Sequence, residues 1–115
     1  MYLQALYRDS RNSAISLLIE IDSWASAGVK LPDLYSREGY TLYTIQYINF
    51  LVDPWDTSLP LYACRIQNPE DGTVSTSYIF ASSVEEAVMI ITQKFKQKAI
   101  SVSLTSLTYR NESKG

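Results

Sequence analysis

Residues 80–99, FASSVEEAVMIITQKFKQKA, constrain the fold more than any other stretch, because a helix start and a helix stripe coincide there. Val84, Ala87, Val88, Ile91 and Phe95 recur at three and four, which aligns them on one side of a helix. Ser83 followed by Glu86 has capping-box spacing, and Ser82 with Glu85 offers the same pairing one residue earlier. The open amides of a first turn can also hold an anion, but here serines accept them and two carboxylates repel an incoming charge. The stretch therefore reads as a cap. Lys94, Lys96 and Lys98 complement the negative pole at the far end.

A helix with one apolar side requires another layer to cover it, and the flanking sequence supplies strands. LYACRIQN alternates Tyr62, Cys64 and Ile66 against Arg65 and Gln67, and NPEDG then provides a type I turn closed by a glycine bulge. The following TVSTSYIFA returns as its antiparallel partner, with Val74, Tyr78 and Phe80 on one face. After the helix, Ile100, Val102 and Leu104 alternate with serines in a last strand. Upstream, YTLYTIQYINFLV (40–52) is dense in β-branched and aromatic residues on both parities, which predicts a strand covered on both faces. Between Ser10 and Gly28, Ala14, Leu17, Leu18, Ile21, Trp24 and Ala25 recur at three and four, which predicts a first helix. The segment from Gly28 to Tyr40 carries Pro32, Asp33 and Gly39 and reads as an ordered loop.

The expected architecture is α+β: a two-layer sandwich in α-β-β-β-α-β order, with a mainly antiparallel four-stranded sheet and two helices on one face. Residues 1–110 are expected as a single domain and residues 111–115 as a flexible tail. No internal repeat is evident. The α-β-β-β-α order is shared with double-stranded-RNA-binding domains, but Glu85 and Glu86 stand where that fold opens its second helix with basic residues, so no membership is implied.

Composition bounds the chemistry. A chain of 115 residues with 46% apolar and 19% charged residues has a globular balance, and its net charge of −2 gives no long-range attraction for nucleic acid or anionic lipid. No apolar run approaches the ~20 residues that span a bilayer. One cysteine and an amino terminus unlike a secretion signal point to a reducing, cytoplasmic setting. The sequence contains no histidine, which removes ordinary hydrolase triads, imidazole bases and most zinc and copper sites. Gly28, Gly39, Gly72 and Gly115 lie too far apart for a phosphate loop. Cys64 lies on an apolar strand parity and reads as a small buried hydrophobe. Asp53 and Asp56 in VDPWDTS form the best carboxylate pair, suited either to turns or to a cation or acid–base role. No cofactor or metal is implied.

What remains is recognition. Leu34 and Tyr35 in one Pro-braced loop, Trp55 in another, and Tyr43 and Tyr47 on the 40–52 strand are the candidate partner-binding residues. The expected function is a non-enzymatic binding protein, an adaptor, inhibitor or anti-defence accessory factor, forming a homodimer through Tyr43 and Tyr47 and contacting another protein. The alternative is a small-molecule or nucleotide binder in which Trp55 stacks on a base and Arg65 or Arg110 meets phosphate.

Overall fold

Alternation, not helical period, governs the first twenty residues. In the computed structural model, which describes residues 1–113, Tyr2–Arg8 (β1) and Ala14–Glu20 (β2) form an antiparallel hairpin with Leu3 opposite Ile19 and Ala5 opposite Leu17. The turn holds because Asp9 Oδ1 accepts the amides of Arg11 and Ser13 at 2.9 and 2.8 Å and Asn12 takes φ 65°. The helix expected from Ser10 is therefore replaced over most of its length by β2. Leu17, Leu18 and Ile19 are all buried, so β2 lacks the polar face that would have revealed its alternation. Only Trp24–Lys30 is helical (α1), started by Ser23, whose hydroxyl accepts the Ser26 amide at 3.1 Å.

Two short 3₁₀ turns, Leu31–Asp33 and Ser36–Glu38, follow α1, and Gly39 at φ 86° closes the second. Thr41–Tyr47 (β3) then pairs antiparallel with the free side of β1. The chain leaves this unit after Ile48 and returns at Ser106, and Thr108–Asn111 (β7) adds a parallel strand to β2. The strand order is β3-β1-β2-β7. Leu3, Ala5, Tyr7, Leu17, Ile19 and Ile21 face Ala27 and Leu31 across one core. Each fully buried Leu or Ile there contributes roughly 1.5–3 kcal/mol.

The second unit, Asn49–Thr105, contains Leu61–Gln67 (β4), Val74–Phe80 (β5), Val84–Met89 (α2) and Lys98–Leu104 (β6), in the sheet order β5-β4-β6. These elements match the sequence reading in order and place, although Val84, expected on the buried helix stripe with Ala87 and Ile91, is 40% exposed. Gly72 takes φ 75° and donates its amide to the Asn68 carbonyl at 2.8 Å, as the glycine-closed turn required. Ser83 accepts the Glu86 amide at 3.1 Å, but Glu86 reaches back to the amide and hydroxyl of Ser82, not to Ser83 itself. After α2 the helix widens into a π turn at Ile90–Lys94. Tyr62, Cys64, Ile66, Ile79, Ala81, Ala87 and Ile91 form the core.

The two units are built alike, a correspondence the sequence reading did not find. Each runs strand, strand, helix, strand, and in each the third strand pairs antiparallel with the first. A spacing of about 60 residues superposes Ile19 on Ile79, Ser23 on Ser83, Ala27 on Ala87 and Leu31 on Ile91. The third strand is bulged at the same place, at Tyr43 in β3 and at Ile100 in β6. Even the outer edge of the second strand matches: Tyr109 lies parallel to Leu18 in β2, and Phe50 bridges the equivalent Tyr78 in β5. Tyr109 donates its hydroxyl to Glu20, while the Phe50 ring stacks on Phe80, the counterpart of Glu20, at 5.8 Å.

The fold is thus α+β and mostly antiparallel, but with two sheets of four and three strands instead of a single four-stranded one. The element order is β-β-α-β-β-β-α-β-β, and each unit carries one helix. Of the segment expected as a flexible tail, Asn111 belongs to β7 and the Glu112 amide bonds the Glu20 carbonyl at 2.7 Å; residues 114 and 115 lie outside the described residues.

Candidate interaction surface

β3 is an edge strand, exposed at Thr41, Tyr43, Thr44, Gln46 and Tyr47, and not the doubly covered strand its composition implied. Only Leu42 and Ile45 turn toward the core, opposite Tyr7 and Ala5. The bulge explains this spacing of three: Tyr43 is the extra residue, so the phase of the strand shifts on crossing it. Tyr47 lies opposite Leu3, on the helix-bearing parity, and is 66% exposed beyond the core. Tyr43, 65% exposed, instead lies under the Arg8 guanidinium at 4.8 Å, and Arg8 is itself held by Asn12 Oδ1 at 2.8 Å. The two tyrosines therefore do not form the single shared face that simple alternation implies. Bulges also blunt an edge against straight strand pairing.

Sequence periodicity placed Trp24 in a buried stripe, yet it is 53% exposed. With Ala25, Gly28 and Val29 it makes the solvent side of α1 free of charge. Register puts Tyr47 at the same end of the sheet, since Tyr47 pairs with Leu3, Leu3 with Ile19, and α1 starts shortly after Ile19. The missed signal was the sequence WASAGV itself, too short and too small-sided to bury a stripe on its own. The second unit repeats the exposed apolar positions but not the absence of charge, because Glu85 is exposed on α2: Val84, Met89, Ile100 and Leu104 stand at the positions of Trp24, Val29, Tyr43 and Tyr47.

The other candidates have structural employment. Leu34 and Tyr35 are half-buried and pack against the first core, with the Tyr35 ring edge-on to Tyr7 at 5.4 Å and to Tyr40 at 6.3 Å. Arg110 meets Tyr35, its guanidinium 5.7 Å from the ring centroid, and is paired with Glu112 at 2.7 Å. Two residues assigned to different binding modes thus stabilise one another. Arg65, exposed in the middle of β4, and Trp55, 49% exposed in the segment before it, belong to the second unit.

Asp56 accepts the Ser58 hydroxyl and amide, and these two bonds hold its carboxyl below the usual range. That is turn chemistry. Asp53 is exposed, and among the described residues no three potential metal-ligating side chains gather. Cys64 is fully buried, and burial pushes its thiol up to about 11, far from the thiolate a nucleophile requires. No helix among the described residues is long and apolar enough to cross a membrane.

No known family model matches this sequence, and neither a curated protein nor a solved structure matches it.

Proposed function

We propose that the protein acts by binding another protein through the charge-free solvent side of α1 and the adjoining end of β3, as an adaptor, inhibitor or anti-defence accessory factor without catalysis of its own. The observation that carries this reading is the recurrence of exposed apolar side chains at equivalent places: Trp24, Val29 and Tyr47 in one unit, and Val84, Met89 and Leu104 in the other. Scattered exposed apolar residues are ordinary, but the same three positions exposed twice mark a surface held in common by both repeats. Trp24 and Tyr47 are the anchors of choice, since large rings bury much area while losing little side-chain freedom on docking. Leu34 and Tyr35, packed against the core, with Tyr35 beside Tyr7 and Tyr40, are not part of this surface.

The experiment is native mass spectrometry of the protein taken from its source, for the wild type and for Trp24→Glu with Tyr47→Lys. A co-purified protein retained by the wild type and by a control Arg65→Ala, and lost from the double variant, supports the reading. A retained small ligand that Arg65→Ala or Arg110→Ala releases would favour the nucleotide-binding alternative. Retention of the protein partner by the double variant would exclude this surface.

A further inference from the structure

In each unit the outer edge of the second strand is closed by a parallel segment that the chain delivers only after completing the third strand of the other unit. Asn49 to Leu51 follow β3 and seat on β5, with Tyr78 bonded to the Asn49 carbonyl and the Leu51 amide at 2.9 Å each. β7 follows β6 and seats on β2, Leu17 through Glu20 pairing with Thr108 through Asn111. This connectivity is that of two strand-exchanged copies joined into one chain.

We propose that the outer edge of β2 is a strand-acceptor site that also takes β7 from a second copy of this chain, so that two copies complete one another's first unit reciprocally. The proposal goes beyond the binding role above and uses a different surface. The seat is specific. The Tyr109 hydroxyl donates to Glu20 at 2.5 Å, the Glu112 amide to the Glu20 carbonyl at 2.7 Å, and Lys30 Nζ to the Glu112 carbonyl at 2.9 Å, while Arg110 covers Tyr35. All these anchors lie between residues 108 and 112, and none involves the connection at residues 105–107, so the same bonds form whether β7 arrives in cis or in trans. A four-residue parallel ladder is a weak attachment for a strand that pairs with β2 alone, and it can open while the β3-β1-β2 ladders stay closed. What selects cis over trans is the effective concentration set by the short connection from β6.

Sedimentation velocity on the full chain tests this. Deleting Ser106 and Leu107 shortens the connection and hinders closure in cis, so the dimer should form at least about tenfold more tightly than in the wild type. Adding Arg110→Pro, which removes an amide on the same side of β7 as the Glu112 amide that faces β2, together with the guanidinium over Tyr35, should return that variant to monomer. Tyr43→Lys with Tyr47→Lys should leave the dimer in place, which separates this contact from the proposed docking surface. A shortened chain that is folded by circular dichroism and remains monomeric overturns the proposal. So does a dimer that survives Arg110→Pro, because its contact then lies elsewhere. Should the deletion prevent folding, hydrogen exchange of the wild type decides. Exchange of strands requires β7 to open alone, so amides of Thr108–Asn111 should lose protection at least about tenfold faster than those of Leu3 to Tyr7, and equal protection overturns the proposal.

Discussion

Ser23 and Ser83 do the same work in the two units: φ is −159° and −157°, ψ is 165° in both, and each hydroxyl accepts the amide three residues on at 3.1 Å. Around this pair almost nothing else is identical. Trp24, Ala25 and Ser26 follow the first serine, whereas Val84, Glu85 and Glu86 follow the second. The repeat is preserved as backbone chemistry, a hydroxyl at each helix entry and a small Ala27 or Ala87 where the helix meets the sheet.

Replacing either serine with alanine leaves a first-turn amide without its acceptor and should cost about 1 kcal/mol. Urea titration of Ser23→Ala and Ser83→Ala followed by circular dichroism checks this. A loss confined to Ser83→Ala would show that α1 is held by packing alone.

Tyr7 provides a second handle, because its buried hydroxyl donates to the Leu31 carbonyl at 2.6 Å. Burial, then the neighbouring Tyr35, pushes its phenol from 10.0 up to about 12, and burial with the Glu20 contact does the same to Tyr109. Between those pH values the unfolded chain has released protons that the folded one still holds, so stability should be flat below about pH 10 and fall as pH rises toward 12. Tyr7→Phe should lower stability at neutral pH by about 1–3 kcal/mol, since the Leu31 carbonyl loses its donor, and should also flatten part of the alkaline decline. Unfolding midpoints from pH 8 to 12 measure both effects. An unchanged alkaline slope in Tyr7→Phe would assign the whole decline to other groups.

The second unit was legible because each of its signals was unambiguous. Tyr62, Cys64 and Ile66 alternate against a polar face, Gly72 supplies the left-handed turn residue, and Ser83 announces the helix. The first unit hides the same plan. Asn12 takes the left-handed conformation that a glycine takes in the second, so the turn between β1 and β2 carried neither Gly nor Pro to mark it. With the turn unseen, Leu17, Leu18, Ile21 and Trp24 counted as a helical stripe, although a strand buried on both faces yields the same apolar density. Tyr43 shows a third limit. No composition rule reveals an extra residue in a ladder, and that residue decides which tyrosines face solvent together.

Gly28 tests the surface reading and the backbone reading at once. It lies inside α1 with no atom within 4 Å of where a Cβ would stand, so alanine there meets no obstacle. Gly28→Ala should stabilise the protein by roughly 0.5–1 kcal/mol, because glycine gives up more freedom than alanine on entering a helix. Gly39 is equally open and Gly72 would meet only Gln67 Nε2 at 3.9 Å, an ordinary contact, but the two sit at φ 86° and 75°, where an L side chain is strained. Gly39→Ala and Gly72→Ala should therefore destabilise by about 1 kcal/mol although neither creates a clash. Thermal melts of the three single variants give the order directly. A stabilised Gly28→Ala that also loses the partner seen in native mass spectrometry would mean that the partner approaches α1 closely enough to require a bare backbone there, and a stabilised variant that keeps it would place the contact on Trp24 and Tyr47 alone.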